Sequence, residues 1–416
     1  MSLLRTTYSA LAIFLVMAAA FPGQVFPDAH TGNRTLTAQN RGLLLVNAAS
    51  PTSDLIYALE HSDLKYQRRY AAELLGDRDE TALPALLAAL KDSEEVVQMA
   101  AAESLAKLGN SSIFPELIEN LTSSRASVRK YSAYVLGRKA KSKDTEVVEA
   151  LEALTSDSDN NVRAEVFYAL CELSAPSSRD LFIEGLHDPD TRVRRYSAAA
   201  LGKLKGNQAG RALALALQKE SDEDVRRMIA TALGKVGSSG SVDALIDALP
   251  LETPAVRLDI AAALGEAKTP RAIEALTELL TEDPNPQVRE KAAIALREAK
   301  ARSAVEALAK ALQDRAVIVR RPASEALIEL ADISVTDELI DALDDTDDVV
   351  AGNAVVALVR LNNLDSVHGL IKMLDSPNSR AKERAIMVLE EITFRPYGSD
   401  VQKWKQWYEE HFKLGS

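Results

Sequence analysis

Apolar residues recur along most of this chain at helical spacing, and that spacing itself repeats. The unit reads Val-Arg-x-x-small-Ala-x-Ala-Leu-Gly, with clear copies beginning at Val128, Val193, Val225 and Val256. Degenerate copies begin at Gln67, Val97, Val162, Val288, Val319, Val350 and Ala381. The Leu of the unit falls at Leu75, Leu105, Leu136, Leu170, Leu201, Leu233, Leu264, Leu296, Leu327, Leu358 and Leu389. These eleven copies lie between 30 residues apart (Leu75 to Leu105) and 34 (Leu136 to Leu170). Val, the small residue four on, and Ala and Leu seven and eight on share one face of a 3.6-residue helix.

A second amphipathic stretch precedes each of these helices. Residues 82–90 are an example, with Pro84 in the first turn, where a missing N–H is harmless. Each copy is therefore a helix pair that cannot bury its apolar face alone, and stacking the pairs makes one continuous core. The Gly after the Leu, as at Gly137, Gly202, Gly234 and Gly265, is expected near the helix end, where the chain turns.

An acid sits six residues before the unit's Arg in several copies. The pairs are Asp157 with Arg163, Asp188 with Arg194, Asp283 with Arg289 and Asp314 with Arg320, and Glu220 precedes Arg226 in the same way. The acid falls between the two helices and the Arg opens the second. This predicts a ladder of charged hydrogen bonds pinning the loops of adjacent repeats, weakened at Gln98, Ala351 and Lys382.

The repeated line and its Asp-x5-Arg spacing resemble the HEAT repeat family, specifically the short bilin-lyase-like class, over residues 53–393. The resemblance implies an all-α fold, a right-handed α-solenoid of about eleven HEAT-type helix pairs. It also implies second helices along the concave inner surface and a role as a scaffold or binding protein.

Two enzymatic branches of that family fit poorly. Deoxyhypusine hydroxylases hold iron through His-Glu dipeptides. The five histidines here, His30, His61, His187, His368 and His411, are scattered and none is followed by Glu, so no metal site is expected. A bilin lyase-type subunit would work in the cytoplasm and is kept as an alternative. Cys171, the single cysteine, stands where other copies carry Gly and reads as a small structural residue rather than a nucleophile.

Composition agrees with close-stacked helices: 47% of the 416 residues are hydrophobic but only 5% aromatic. The net charge of −12 disfavours nucleic acid as a partner, because the chain would repel phosphate. One cysteine excludes an intrachain disulfide and a CxxC redox pair. At the start, Arg5 precedes an apolar run over residues 10–20 with small residues at Ala18 and Ala20. Residues 1–20 therefore read as a signal peptide and the protein as exported, to the periplasm or the extracellular space; an uncleaved membrane anchor is the alternative. Residues 21–52 read as a linker with a short helix over 42–49. Residues 394–416, with both tryptophans, read as a C-terminal aromatic capping helix whose cap is Ser399 or Asp400.

No aromatic residue lies between Tyr196 and Phe394. On a helical wheel, the positions one, two and five after the unit's Arg point away from the core, toward the expected inner face. In the first copies they hold Arg69, Tyr70, Lys130, Tyr131, Tyr134, Tyr168, Arg195, Tyr196 and Arg227. Tyrosine interleaved with basic residues is the composition of a recognition surface. It suits an acidic polypeptide segment, or a glycan stacked on the rings. In later copies Met228, Leu258, Ile294, Val356 and Met387 make the same face more apolar. The expectation is an exported, non-enzymatic interaction scaffold that needs no cofactor and meets a membrane only through an uncleaved leader. A purely structural scaffold is the remaining alternative.

Overall fold

Residues 46–412 are described by the computed structural model, and no strand occurs among them. Eleven helix pairs follow one another. The first five are α1 (Thr52–His61) with α2 (Lys65–Leu75), α3 (Leu83–Ala89) with α4 (Glu95–Leu108), α5 (Phe114–Asn120) with α6 (Ala126–Lys139), α7 (Thr145–Glu152) with α8 (Asn160–Leu173), and α9 (Arg179–Gly185) with α10 (Thr191–Leu204). The next three are α11 (Asn207–Lys219) with α12 (Glu223–Val236), α13 (Ser239–Ala248) with α14 (Pro254–Ala267), and α15 (Pro270–Glu282) with α16 (Pro286–Glu298). The last three are α17 (Val305–Lys310) with α18 (Val317–Leu330), α19 (Thr336–Asp341) with α20 (Asp348–Leu361), and α21 (Val367–Met373) with α22 (Ser379–Thr393). A single helix, α23 (Val401–Phe412), ends the described chain.

Local signals place these helices. The side chains of Asp159, Asp190, Asp222, Asn285, Asp347 and Asn378 each accept a hydrogen bond from a backbone N–H in the first turn of the second helix they precede. Prolines occupy the first turn of α3, α14, α15 and α16, where no N–H is missed. The repeated leucines are the centre of the core: Leu75, Leu105, Leu136, Leu170 and Leu201 are fully buried, each contributing about 1.5–3 kcal/mol.

Second helices pack on one another more extensively than first helices do. The second helices of successive pairs therefore form one continuous packed layer. The glycines explain the close approach and add to the sequence reading. Gly137, Gly202, Gly234 and Gly265 lie near the helix ends as expected, each two residues before the last residue of α6, α10, α12 or α14. A Cβ at Gly137 would come within 2.5 Å of the Ala169 Cβ, and one at Gly234 within 2.6 Å of the Ala263 backbone. Glycine is required because the next second helix lies against that atom. Cys171, at the equivalent position of α8, is buried.

At the C-terminal end, Asp400 caps α23 by accepting from the Lys403 N–H (3.1 Å). Trp404 and Trp407 are buried, and the Trp404 indole donates to the Gly398 carbonyl at 2.8 Å. The helix packs on α21, with Tyr408 beside His368, so it covers the face that the last pair would leave open. At the N-terminal end, α1 begins at Thr52, inside the expected linker. The Arg78 guanidinium donates to the Ala48 and Ser50 carbonyls (2.6 and 3.1 Å) and holds that segment to the second repeat. The described part of the expected helix over 42–49 is a turn. The expected signal peptide, and the linker up to residue 45, lie outside the described residues. No described helix is long and apolar enough to cross a membrane.

Candidate functional site

The acid–arginine spacing builds a ladder between repeats. Each motif Arg reaches two layers. Its Nη1 donates to the backbone carbonyl of the acid six residues before it: Arg163 to Asp157, Arg194 to Asp188, Arg289 to Asp283 and Arg320 to Asp314, at 2.8–3.0 Å. Its Nε donates to the carboxylate of the next repeat's acid. Arg129 pairs in this way with Asp157 (2.7 Å), Arg163 with Asp188 (2.9 Å), Arg194 with Glu220 (2.7 Å), Arg257 with Asp283 (2.7 Å) and Arg289 with Asp314 (2.7 Å). Arg68–Asp92, Arg226–Glu252 and Arg320–Asp345 extend the series. The six-residue spacing in the sequence thus records a backbone bond, and the ion pair belongs to the neighbouring copy.

The ladder changes form at its weak points. Gln98 keeps the carbonyl bond, to Asp92 O at 2.6 Å, and Arg125 of the next repeat donates to Lys91 O and Asp92 O. Where Ala351 replaces the Arg, Arg384 of the following repeat reaches back to Leu343 O (2.8 Å) and to the Asp348 carboxylate (2.6 Å). These roles are structural.

The nine stripe residues do not form one surface. Lys130, Tyr131, Tyr134 and Tyr196 line a depression of about 340 Å³ on the second-helix face, together with Met99, Glu103, Glu165 and Arg192. It spans α4, α6, α8 and α10. Tyr168 stands against Tyr196, with ring centroids 5.3 Å apart and planes at 61°. Arg69 and Tyr70 lie in the first repeat, where Arg69 pairs with Glu73 (2.7 Å). Arg227 lies in the sixth and pairs with Asp259 (2.6 Å). Arg195 is half-buried beside Tyr196.

Two expectations need correcting. Tyr131 was expected to be exposed but is buried, and its hydroxyl donates to Glu95 at 3.1 Å. Tyr131 leans across to α4, whereas Tyr70 at the same position of the first copy is exposed, a difference that a wheel cannot show. The stripe is also less basic than its composition. Lys130 pairs with Glu95 at 2.6 Å and lies 4.2 Å from the Tyr131 ring centroid, while Arg192 pairs with Asp190 at 2.8 Å. Its acidic neighbours therefore hold much of the positive charge counted in the sequence.

Sequence reasoning missed Glu165. It occupies the second position after Arg163, between Tyr131 and Tyr196 in the adjacent copies. Aligning the copies column by column would have shown an acid in a tyrosine column. Burial pushes its carboxyl above the ordinary range, and Arg138, Lys130 and Arg192 offset only part of that. Burial likewise raises the hydroxyls of Tyr134 and Tyr196. The Cys171 thiol is also pushed up by burial, away from the thiolate that a nucleophile needs. Among the described residues, no three His, Cys, Asp or Glu side chains converge to hold a metal ion.

The sequence profile of HEAT repeats matches five overlapping stretches, residues 52–137, 114–202, 147–223, 210–297 and 275–359. The chain belongs to the HEAT-repeat family. None of the curated protein sequences compared with this HEAT-repeat chain matches significantly. Among solved structures, Kap95p in complex with RanGDP superposes with a TM-score of 0.55 at 15% identity, over 82% of this chain and 56% of that one. Kap121p bound to Pho4p gives 0.51 at 15% identity, over 86% of this chain and 47% of that one. Kap121p bound to Ste12p gives 0.51 at 15%, over 86% and 46%. The HEAT-repeat chain spans about half the length of these proteins, and the likeness establishes the shared solenoid fold.

Proposed function

We propose that this protein is an exported, non-enzymatic scaffold that binds a polypeptide partner along the second-helix face, across the depression between α4 and α10. The observation that carries this reading is the depression itself. Four tyrosines, Tyr131, Tyr134, Tyr168 and Tyr196, cluster in or against it on a chain with few aromatics. Aromatic rings with polar tips supply contact area at low entropic cost and are enriched where proteins recognise one another. The solenoids of like fold were solved with polypeptides bound, Ste12p and Pho4p among them. Export rests on Arg5, the apolar run over residues 10–20, and Ala18 and Ala20.

The test is crosslinking in the native host followed by mass spectrometry, which reports the partner, the crosslinked helices and the mature N-terminus. Arg195→Ala combined with Tyr196→Ala is a cleaner probe than any change at Tyr131, whose ring is part of the packing. The double variant should lose capture of the crosslinked partner while melting at the wild-type temperature. Full capture by that variant, or crosslinks confined to first helices, would remove the reading. An intact N-terminus on protein recovered from the cytoplasm would remove export.

A further inference from the structure

Glu165 is half-buried, with one of its two carboxyl oxygens placed where an unpaired carboxylate is costly. It projects from α8 into the depression, between Tyr131 of α6 and Tyr196 of α10. Its Oε1 has no access to solvent and no hydrogen-bond partner. A buried acceptor left unpaired loses its hydration with nothing in return, and the loss is greater for a charged group. Arg138, Lys130 and Arg192 offset part of its burial from a distance, but none of them hydrogen-bonds Oε1. Lys130 is bound to Glu95 (2.6 Å). Arg192 forms two bonds to Asp190, at 3.0 and 2.8 Å. Arg138 lies flat against the Tyr134 ring, 4.3 Å from its centroid.

The walls match the floor. Tyr134 and Tyr196 are half-buried, so each keeps part of its ring open to the space above Glu165. Ring faces attract cations, and they also pack against an aliphatic stem. Glu103 adds a second carboxylate on the α4 side, for which no ion pair is formed. With Lys130–Glu95 and Arg192–Asp190 neutralising one another, the charges left on the lining itself are Glu165 and Glu103, with Arg138 and Arg195 beside the tyrosines outside it.

We infer that the depression is a side-chain pocket for a basic residue, Lys or Arg, of an extended polypeptide, with Glu165 as its anion and the tyrosines as its walls. The inference rests on the polypeptide-scaffold reading and gives it a specificity. It reverses the acidic partner that the composition of the stripe suggests, because Lys130, the stripe cation lining the depression, is already paired and the Glu165 carboxylate is not. A depression of about 340 Å³ accommodates one such side chain rather than a folded surface. The arriving ammonium or guanidinium would supply the donor that Glu165 Oε1 lacks.

The experiment is binding of the purified protein to a positional-scanning array of hexapeptides, carried out with wild type, Glu165→Gln and the pair Tyr134→Ala with Tyr196→Ala. Wild type should enrich peptides with Lys or Arg at one position, and the two residues are scored separately. Glu165→Gln keeps the shape and removes the charge, so it should lower affinity for those peptides about 10- to 100-fold, the scale of a charge-assisted hydrogen bond. Its melting temperature should match or exceed that of wild type, because an unpartnered buried charge has gone. Nα-acetyl-lysine methylamide at millimolar concentration should compete for wild type. A wild-type preference for acidic peptides, or a basic preference that survives Glu165→Gln, overturns the pocket. Peptides bound without basic preference but lost in the tyrosine pair overturn it while leaving the scaffold reading standing. Absence of binding to every peptide also overturns it, and the crosslinking experiment then judges the scaffold separately.

Discussion

The smallest residues set the tolerances of this molecule. Gly137 and Gly352 both lie within helices, and each replaced by alanine would gain about 1 kcal/mol of helix propensity. At Gly352 a Cβ meets nothing within 4 Å, so that gain stands. At Gly137 it meets the Ala169 Cβ at 2.5 Å and Cα at 2.7 Å, both on the stiff backbone of the next helix. Overpacking of that kind costs about 1–3 kcal/mol, which exceeds the propensity gain. Gly352→Ala is therefore expected to unfold at slightly higher urea concentration than wild type, and Gly137→Ala at lower. Equal midpoints for the two variants would show that the second helices are not in the close contact described. The motif Gly was legible as a position near the helix end. What it lay against was not legible, because Ala169 belongs to the following copy.

At the scale of the element, the end of the array is decided by α23. Repeat stacks gain stability from each neighbour, and the outermost pair has a neighbour on one side only. Trp404 fills that gap, fully buried, with Tyr397 edge-on at 4.9 Å and its indole N–H held by Gly398. Trp404→Ala removes a large buried side chain at a cost of about 3–5 kcal/mol. The loss should be local. Hydrogen exchange should quicken in α21, α22 and α23 and stay unchanged in α2 to α12. Uniform acceleration along the chain would mean that α23 is not a cap but part of a global core. The sequence indicated this helix well, because both tryptophans and the capping Asp400 are neighbours in the chain.

Over the whole molecule, the arginine ladder ties layer to layer, and it makes stability depend on acid. Asp92, Asp157, Asp314 and Glu220 are each raised by burial. The guanidinium of the preceding repeat and a backbone N–H outweigh that burial, so all four carboxyls lie below their ordinary values. A depressed folded value means that the unfolded chain binds more protons in the window between the two. Stability is then complete above the unfolded values, 3.8 for Asp and 4.5 for Glu, and is lost as pH falls through the folded ones. The melting temperature should fall steeply below about pH 4. Asp157→Asn removes one bidentate rung, worth about 1.5–3 kcal/mol, from a site where Arg129 and Asp157 are only 13% and 5% exposed. That variant should melt lower at neutral pH, with the difference from wild type narrowing in acid as Asp157 itself protonates in the wild-type chain. A constant difference down to pH 2 would show that the rung acts by shape and not by charge.

The sequence by itself determined the period, the eleven pairs, the core leucines, the ladder residues and the cap. All of these follow from contacts within one helix or from a pattern that every copy repeats, and periodicity carries such information without coordinates. Only the tertiary structure decided what depends on atoms from neighbouring copies. It turned the Asp157–Arg163 spacing into a carbonyl bond and gave the ion pair of Asp157 to Arg129. It buried Tyr131, used Lys130 and Arg192 on acids of their own, and left Glu165 alone beneath the tyrosines. A helical wheel assigns a direction to each side chain. Whether the charge at its end is already matched depends on which residue of the next layer arrives beside it.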